Sequence, residues 1–151
     1  MRILIQRVSR ASVQVSAETV ASIKHGILVL VGIGAYDGQE DADWLAEKLI
    51  GMRLFSDEEG KMNLSLEQIS GSLLLVSQFT LFAQTKKGNR PSFIDAARPE
   101  TAKPLFDYFT QRCRSLSPGI DVQTGVFGAM MEVSLVNDGP VTIWMDSRQR
   151  S

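Results

Sequence analysis

Residues 136–146, VNDGPVTIWMD, put a Gly-Pro pair where a strand is expected to run on. Val136, Val141, Ile143, Trp144 and Met145 are strand formers, as are Val133 and Leu135 just ahead of them. Proline has no N–H to give a sheet ladder, and glycine weakens the strand on either side of it. Asn137-Asp138 is turn chemistry. One reading is two strands, MMEVSLVN (130–137) and VTIWMD (141–146), joined by a turn. The other is a piece of backbone held out for a purpose.

The rest of the chain supports a sheet with two helices on it. Residues 2–8, 11–16 and 19–24 are short β-type runs, and HGILVLVGIG (25–34) reads as a buried strand entered through a turn at His25-Gly26. QEDADWLAEKLIGMRLF (39–55) has Trp44, Leu45, Leu49, Met52 and Arg53 at helical spacing, with acids in its first turn where the helix dipole favours them. FSDEEGKMNLSL (55–66) reads as loop, GSLLLVSQFTLF (71–82) as a second buried strand, and QTKKGNRPSFIDAARPE (84–100) as a long polar loop. TAKPLFDYFTQRCRSL (101–116) predicts a helix with Leu105, Phe106, Phe109 and Cys113 on one side and Pro104 in its first turn. No repeat, linker or low-complexity tract interrupts the chain. The expected fold class is α+β: a single domain over residues 1–151, a largely antiparallel, mixed β-sheet, and two main helices packed on it.

Composition narrows the functional classes. The chain has 151 residues, 44% of them hydrophobic, which suits one domain with its own core. Sixteen Lys and Arg oppose seventeen Asp and Glu, so bulk charge gives no general affinity for nucleic acid and any such binding needs a local patch. A single cysteine, Cys113, rules out an internal disulfide and a multi-cysteine metal site. No apolar run approaches the ~20 residues of a bilayer span, and the opening MRILIQRVSRASVQV has charges too frequent for a secretory signal. A cytoplasmic protein with no membrane partner is the expectation. Charge is unevenly spread: residues 36–60 carry eight acids and two bases. Lys86, Lys87, Arg90, Arg98 and Lys103 face only Asp95 and Glu100 in the next charged segment. That basic loop, with Gly88, Asn89 and Pro91, is either an ordinary solvated loop or a phosphate contact.

Usual catalytic sets are missing. One histidine cannot form a metal cluster, and His25 lies in the turn already described. Cys113 falls on the apolar side of a helix and reads as a core residue. GIGAYDG (32–38) lacks the Lys-Ser/Thr of a phosphate loop. An enzyme built from this chain would work without a conventional base, metal or nucleotide cofactor. Its chemistry would then fall at Ser77, Gln78 and Thr80, where the apolar run Leu73–Val76 ends. Strand ends expose backbone N–H groups that can receive a developing oxyanion, and Thr80 adds a hydroxyl. Ser and Thr capping their own frayed strand end is the plain alternative.

SQFTL (77–81), KKGNRPSF (86–93) and NDGPVT (137–142), in this order and spacing, resemble the D-aminoacyl-tRNA deacylases. The likeness runs from LIQRVSRASV through FSDEEGKMN to VSLVNDGPVT, and the motifs are specific together rather than singly. It implies hydrolysis of the ester joining a D-amino acid to the terminal adenosine of tRNA, with no cofactor and no metal. Ser77, Gln78, Phe79 and Thr80 would form the reaction centre. The family are homodimers with a cis Gly-Pro peptide. Gly139 and Pro140 would therefore line the partner's substrate pocket, Arg7 would support that loop, and the sheet would be barrel-like in the dimer. Lys86, Lys87 and Arg90 are the candidate contacts to the aminoacylated tRNA. An aminoacyl ester is an activated bond, so backbone donors, an oriented water and the ribose 2′-hydroxyl would suffice. Two Gly-Pro carbonyls could accept from the substrate α-ammonium and leave no room for an L side chain, while glycyl-tRNA would still be admitted. Two other classes remain: a tRNA-end-binding module without catalysis, and an interaction protein whose exposed strands simply dimerise.

Overall fold

The computed structural model describes residues 1–151. In chain order it contains β1 (Arg2–Val15), β2 (Glu18–Ile23), β3 (Gly26–Gly32), α1 (Gln39–Gly51), β4 (Phe55–Ser56), β5 (Met62–Leu64) and β6 (Ser72–Ser77). A 3-10 turn (Phe79–Phe82), α2 (Pro99–Leu116), β7 (Asp121–Thr124) and β8 (Glu132–Asp146) follow.

Two unbroken apolar runs set the centre of the sheet. Strands β3 and β6 lie side by side in parallel, with Val31 opposite Ser77. A strand that is apolar at every position must be covered on both faces. Leu73 and Leu75 accordingly enter the larger core under the helices, while Leu74 and Val76 enter a smaller one with Val8, Val13, Ile23 and Leu28. The helices cover the first face, although α1 ends at Gly51 and leaves Met52 and Arg53, expected on its inner side, outside the helix. Ala42, Leu45, Ala46 and Leu49 are buried on α1, and Ala102, Leu105, Phe106, Phe109 and Cys113 on α2. Fully burying each Leu or Phe side chain contributes roughly 1.5–3 kcal/mol. Burial also pushes the Cys113 thiol up to about 12, which makes it an inert core group.

The sheet order is β2-β1-β3-β6-β7, with β8 along the other edge of β1. The β1 pairings to β2, β3 and β8 are antiparallel, and β3–β6 and β6–β7 are parallel. The sheet curls almost into a barrel within one chain. Across the remaining gap Gln123 of β7 reaches Ser22 of β2: its Nε2 donates to the Ser22 carbonyl and its Oε1 accepts from the Ser22 N–H, both at 2.9 Å. A side-chain amide thus stands in for the missing rung of a ladder.

Four expectations are corrected. Residues 2–8 and 11–16 are one strand: β1 runs through its polar middle because β8 matches it there with register shifts at Gln6/Val8 and Val8/Arg10. Residues 130–137 and 141–146 are likewise one strand, so Gly139-Pro140 is a bulge inside β8 rather than a hairpin corner. Residues 55–66 include a small hairpin, β4 against β5. Helix α2 starts two residues earlier than expected, because Pro99 takes the first position, and this leaves Pro104 inside the helix.

The β1–β2 turn is made by Ser16 and Ala17, with φ of 50° and 66°. Left-handed backbone is disfavoured for any residue with a Cβ. Ala17→Gly is expected to stabilise the fold by about 0.5–1 kcal/mol, a rise of roughly 1–4 °C in Tm by thermal unfolding. An unchanged or lower Tm would show that this turn carries no such cost.

Candidate active site

The apolar run of β6 ends at Ser77, and the chain then turns sharply. Gln78 N–H still donates to the Val31 carbonyl at 2.7 Å, the last rung beside β3. The first hydrogen bond of the 3-10 turn is Leu81 N–H to the Gln78 carbonyl at 3.2 Å. The N–H groups of Phe79 and Thr80 lie ahead of it, the position where a helical turn has donors to offer. Gly32 makes room for this turn: a Cβ there would stand 2.9 Å from Leu81 Cβ and 3.1 Å from the Gln78 carbonyl oxygen.

Ser77, Gln78, Phe79 and Thr80 all line one cavity of about 530 Å³. Its opposite wall is Phe127, Met130 and Met131 from the loop before β8, and the start of α2 adds Pro99 and Ala102. The lining is therefore mostly apolar, with polar groups concentrated at the turn. The Gln78 side-chain amide binds the Thr80 hydroxyl directly. A neutral amide cannot take the threonine proton, and no histidine reaches the cavity. His25 sits in the bend before β3, edge-on to Phe55 with ring centroids 5.1 Å apart and 3.9 Å from Asp138. Phe79 is 57% exposed and packs edge-on against Phe93 at 5.1 Å.

Gly139, Pro140 and Arg7 form a second, separate group. The Gly139-Pro140 peptide is cis, as the resemblance implies. Asn137 Nδ2 donates to the Arg7 carbonyl at 2.9 Å and to the Val141 carbonyl at 3.0 Å, bridging the bulge where the strand ladder is interrupted. Arg7 holds the same loop from the other side. Its Nε donates to the Asp138 carbonyl at 3.2 Å and its Nη1 to the Leu54 carbonyl at 2.6 Å. Neither Gly139 nor Pro140 lines the Ser77–Thr80 cavity. Arg7 is level with Ile27 and Ser77 with Val31, and β8 lies three strands from β6. Four residues along and three strands across amount to roughly 20 Å.

Lys86, Lys87 and Arg90 are in a third place. Gln84 and Ser92 exchange backbone hydrogen bonds of 2.7 and 3.0 Å and tie the base of the loop. The three cations project from its exposed tip, outside the cavity. The Phe127–Met131 wall escaped the sequence reading, although an exposed apolar loop GVFGAMM (125–131) between two strands was a signal for it.

The cavity thus combines open backbone donors and a hydroxyl with an apolar wall. The chain belongs to the D-Tyr-tRNA(Tyr) deacylase family, whose pattern matches residues 4–146. It is 57% identical over 150 residues to a D-aminoacyl-tRNA deacylase of Akkermansia muciniphila, covering 99% of both chains. It is 56% identical over 149 residues to one of Thermomicrobium roseum, covering 99% of this chain and 96% of the relative. Among solved structures it is similar to the c-Myc DNA unwinding element binding protein, at a TM-score of 0.91 and 39% identity over 97% of this chain and 98% of that one. A probable eukaryotic D-amino acid tRNA deacylase shares the fold at a TM-score of 0.81 and 18% identity, over 95% and 97% of the two chains.

Proposed function

We propose that this protein hydrolyses the ester of D-aminoacyl-tRNA in the cytoplasm, releasing free D-amino acid and tRNA, and that it does so as a homodimer. The observation that carries the catalytic reading is the single cavity that gathers Ser77, Gln78, Phe79 and Thr80 around open backbone donors without a base. The terminal adenosine enters the apolar side, and the ester carbonyl faces the Phe79 and Thr80 N–H groups. Water adds to the carbonyl carbon, those donors hold the oxyanion, and the ribose oxygen leaves with a proton as the ester C–O bond breaks. The neighbouring ribose hydroxyl is well placed by covalent structure to assist that transfer. Thr80 positions or donates. Lys86, Lys87 and Arg90 contact phosphates of the incoming tRNA.

The dimer reading rests on two features. Strand β8 pairs only with β1, so one edge of fifteen residues is free, and Val136 and Trp144 stand 39% and 49% exposed on it. A Gly-Pro loop braced by Arg7 and Asn137, yet far from its own cavity, suits a neighbour's cavity instead. There its carbonyls would accept from the substrate α-ammonium and its bulk would exclude an L side chain.

Thr80→Ala is expected to slow deacylation roughly 10- to 100-fold, because the backbone donors remain. Rapid acid quench should trap no aminoacyl-threonine, since nothing beside Thr80 can take its proton. A covalent aminoacyl-Thr80 ester would overturn this mechanism. The non-catalytic alternative is decided by turnover. With enzyme far below charged tRNA, a deacylase clears the ester, a binding module protects it, and an inert dimer does neither.

A further inference from the structure

We infer that a trough leading out of the Ser77–Thr80 cavity binds the nucleotides just before the terminal adenosine, with a base on Tyr36 and a phosphate at Arg98; this rests on the deacylase reading. Three recesses share their walls in series. Ala97 lines the catalytic cavity and also a shallower recess of about 280 Å³ that contains Arg98 and Thr101. Ala35 and Ile94 line that recess and also the next one, of about 480 Å³, which contains Tyr36, Phe82 and Arg148. A substrate whose terminal nucleoside fills the first recess must continue outward as a phosphate and another nucleotide. The trough offers it a path.

Its chemistry suits that occupant. The acids in the trough are already bonded. Asp37 is 5% exposed and paired with the Met1 ammonium at 2.6 Å and with Arg148 at 3.6 Å, and Asp95 accepts from Gln84 at 2.5 Å. Arg2 lies over the Phe82 ring at 4.3 Å and pairs with Asp146 at 3.0 Å. Arg98, between the first and last recesses, is in no ion pair and is the trough's free cation, while Asp95 keeps its charge beside the Gln84 amide. Tyr36 is 91% exposed, yet it is not loosely held. Arg148 Nη2 donates to its carbonyl at 2.5 Å, and the Gly34–Asp37 turn closes through Asp37 N–H to the Gly34 carbonyl at 3.2 Å. An aromatic ring presented on a braced turn, beside a 76% exposed Ile94, is a surface on which a base can stack.

The test is a ladder of D-tyrosyl esters: on adenosine, on the trinucleotide CCA, and on tRNA. For wild type, kcat/KM is expected to rise about tenfold from the adenosine to the CCA ester. Tyr36→Ala and Arg98→Ala should each remove most of that gain and leave the adenosine ester within about twofold of wild type, while Tyr36→Phe keeps the gain. Absence of the gain in wild type, its persistence in both alanine variants, or an equal loss on the adenosine ester would overturn the inference. If wild type cleaved none of the esters, the deacylase reading would fall instead. Binding of uncharged CCA by titration calorimetry would then decide the trough: weaker binding by Tyr36→Ala supports it, and unchanged binding overturns it.

Discussion

An equimolar mixture of Thr80→Ala and Gly139→Ala proteins is expected to recover about one quarter of wild-type deacylation, from parents that each retain about a tenth or less. Gly139 has φ of +118°, and a Cβ built on it would stand 2.8 Å from Arg7 Nη2 and 3.0 Å from Val141 Cγ2. Alanine there strains the backbone at this φ and crowds Arg7 and Val141, so the loop that Arg7 braces has to shift. Displacing a positioning group by about 1 Å costs on the order of a hundredfold. The loop is exposed, so the chain should still fold, which thermal unfolding would check. In a heterodimer one site takes Thr80 from the Gly139→Ala chain and Gly139-Pro140 from the Thr80→Ala chain, and is intact. Random pairing makes about half the dimers heterodimers, each with one good site in two. If heterodimers form, as native mass spectrometry would report, and activity stays at the parental level, the Gly-Pro loop does not serve the neighbouring subunit.

Glycyl-tRNA should be cleaved at a rate nearer to D-alanyl- than to L-alanyl-tRNA, with all three compared at one enzyme concentration. A site that selects by blocking the L side chain has nothing to block in glycine. Contacts to the α-ammonium and ester are the same for glycine and a D-residue. Burying a D methyl group adds about 1 kcal/mol at most. Rejecting L-alanine against rigid backbone is worth more than that, because the overlap is with atoms that cannot move aside. Glycyl-tRNA as resistant as the L-alanyl ester would mean a positive grip on the D side chain.

The elements that carry dense local patterns were legible in the sequence. ILVLV and LLLV fill both faces of β3 and β6, and helical spacing marks the core side of α2 and, on α1, Leu45 and Leu49, but not Met52 and Arg53, which lie past the helix end. What escaped depends on partners far along the chain. Arg7, Ser9 and Arg10 break the apolar alternation of β1, and only the matching irregularity of β8 carries the strand across. Gly139-Pro140 looks like a corner because the amide that spans the bulge belongs to the Asn137 side chain. That Ser77, Gln78 and Thr80 fall together could be read, since strand end and hydroxyls are contiguous. Its opposite wall shows in the sequence only as an apolar loop, because Phe127, Met130 and Met131 reach the cavity only through the fold.

Side-by-side deacylation of D-Tyr-tRNA and L-Tyr-tRNA, with enzyme at about one hundredth of the substrate, tests the central claim most directly. Repeated turnover of the D ester, at least about a hundredfold faster than the L ester, is the result expected of exclusion by a fixed backbone wall. Equal rates for the two esters, or protection of both from spontaneous hydrolysis, would contradict it.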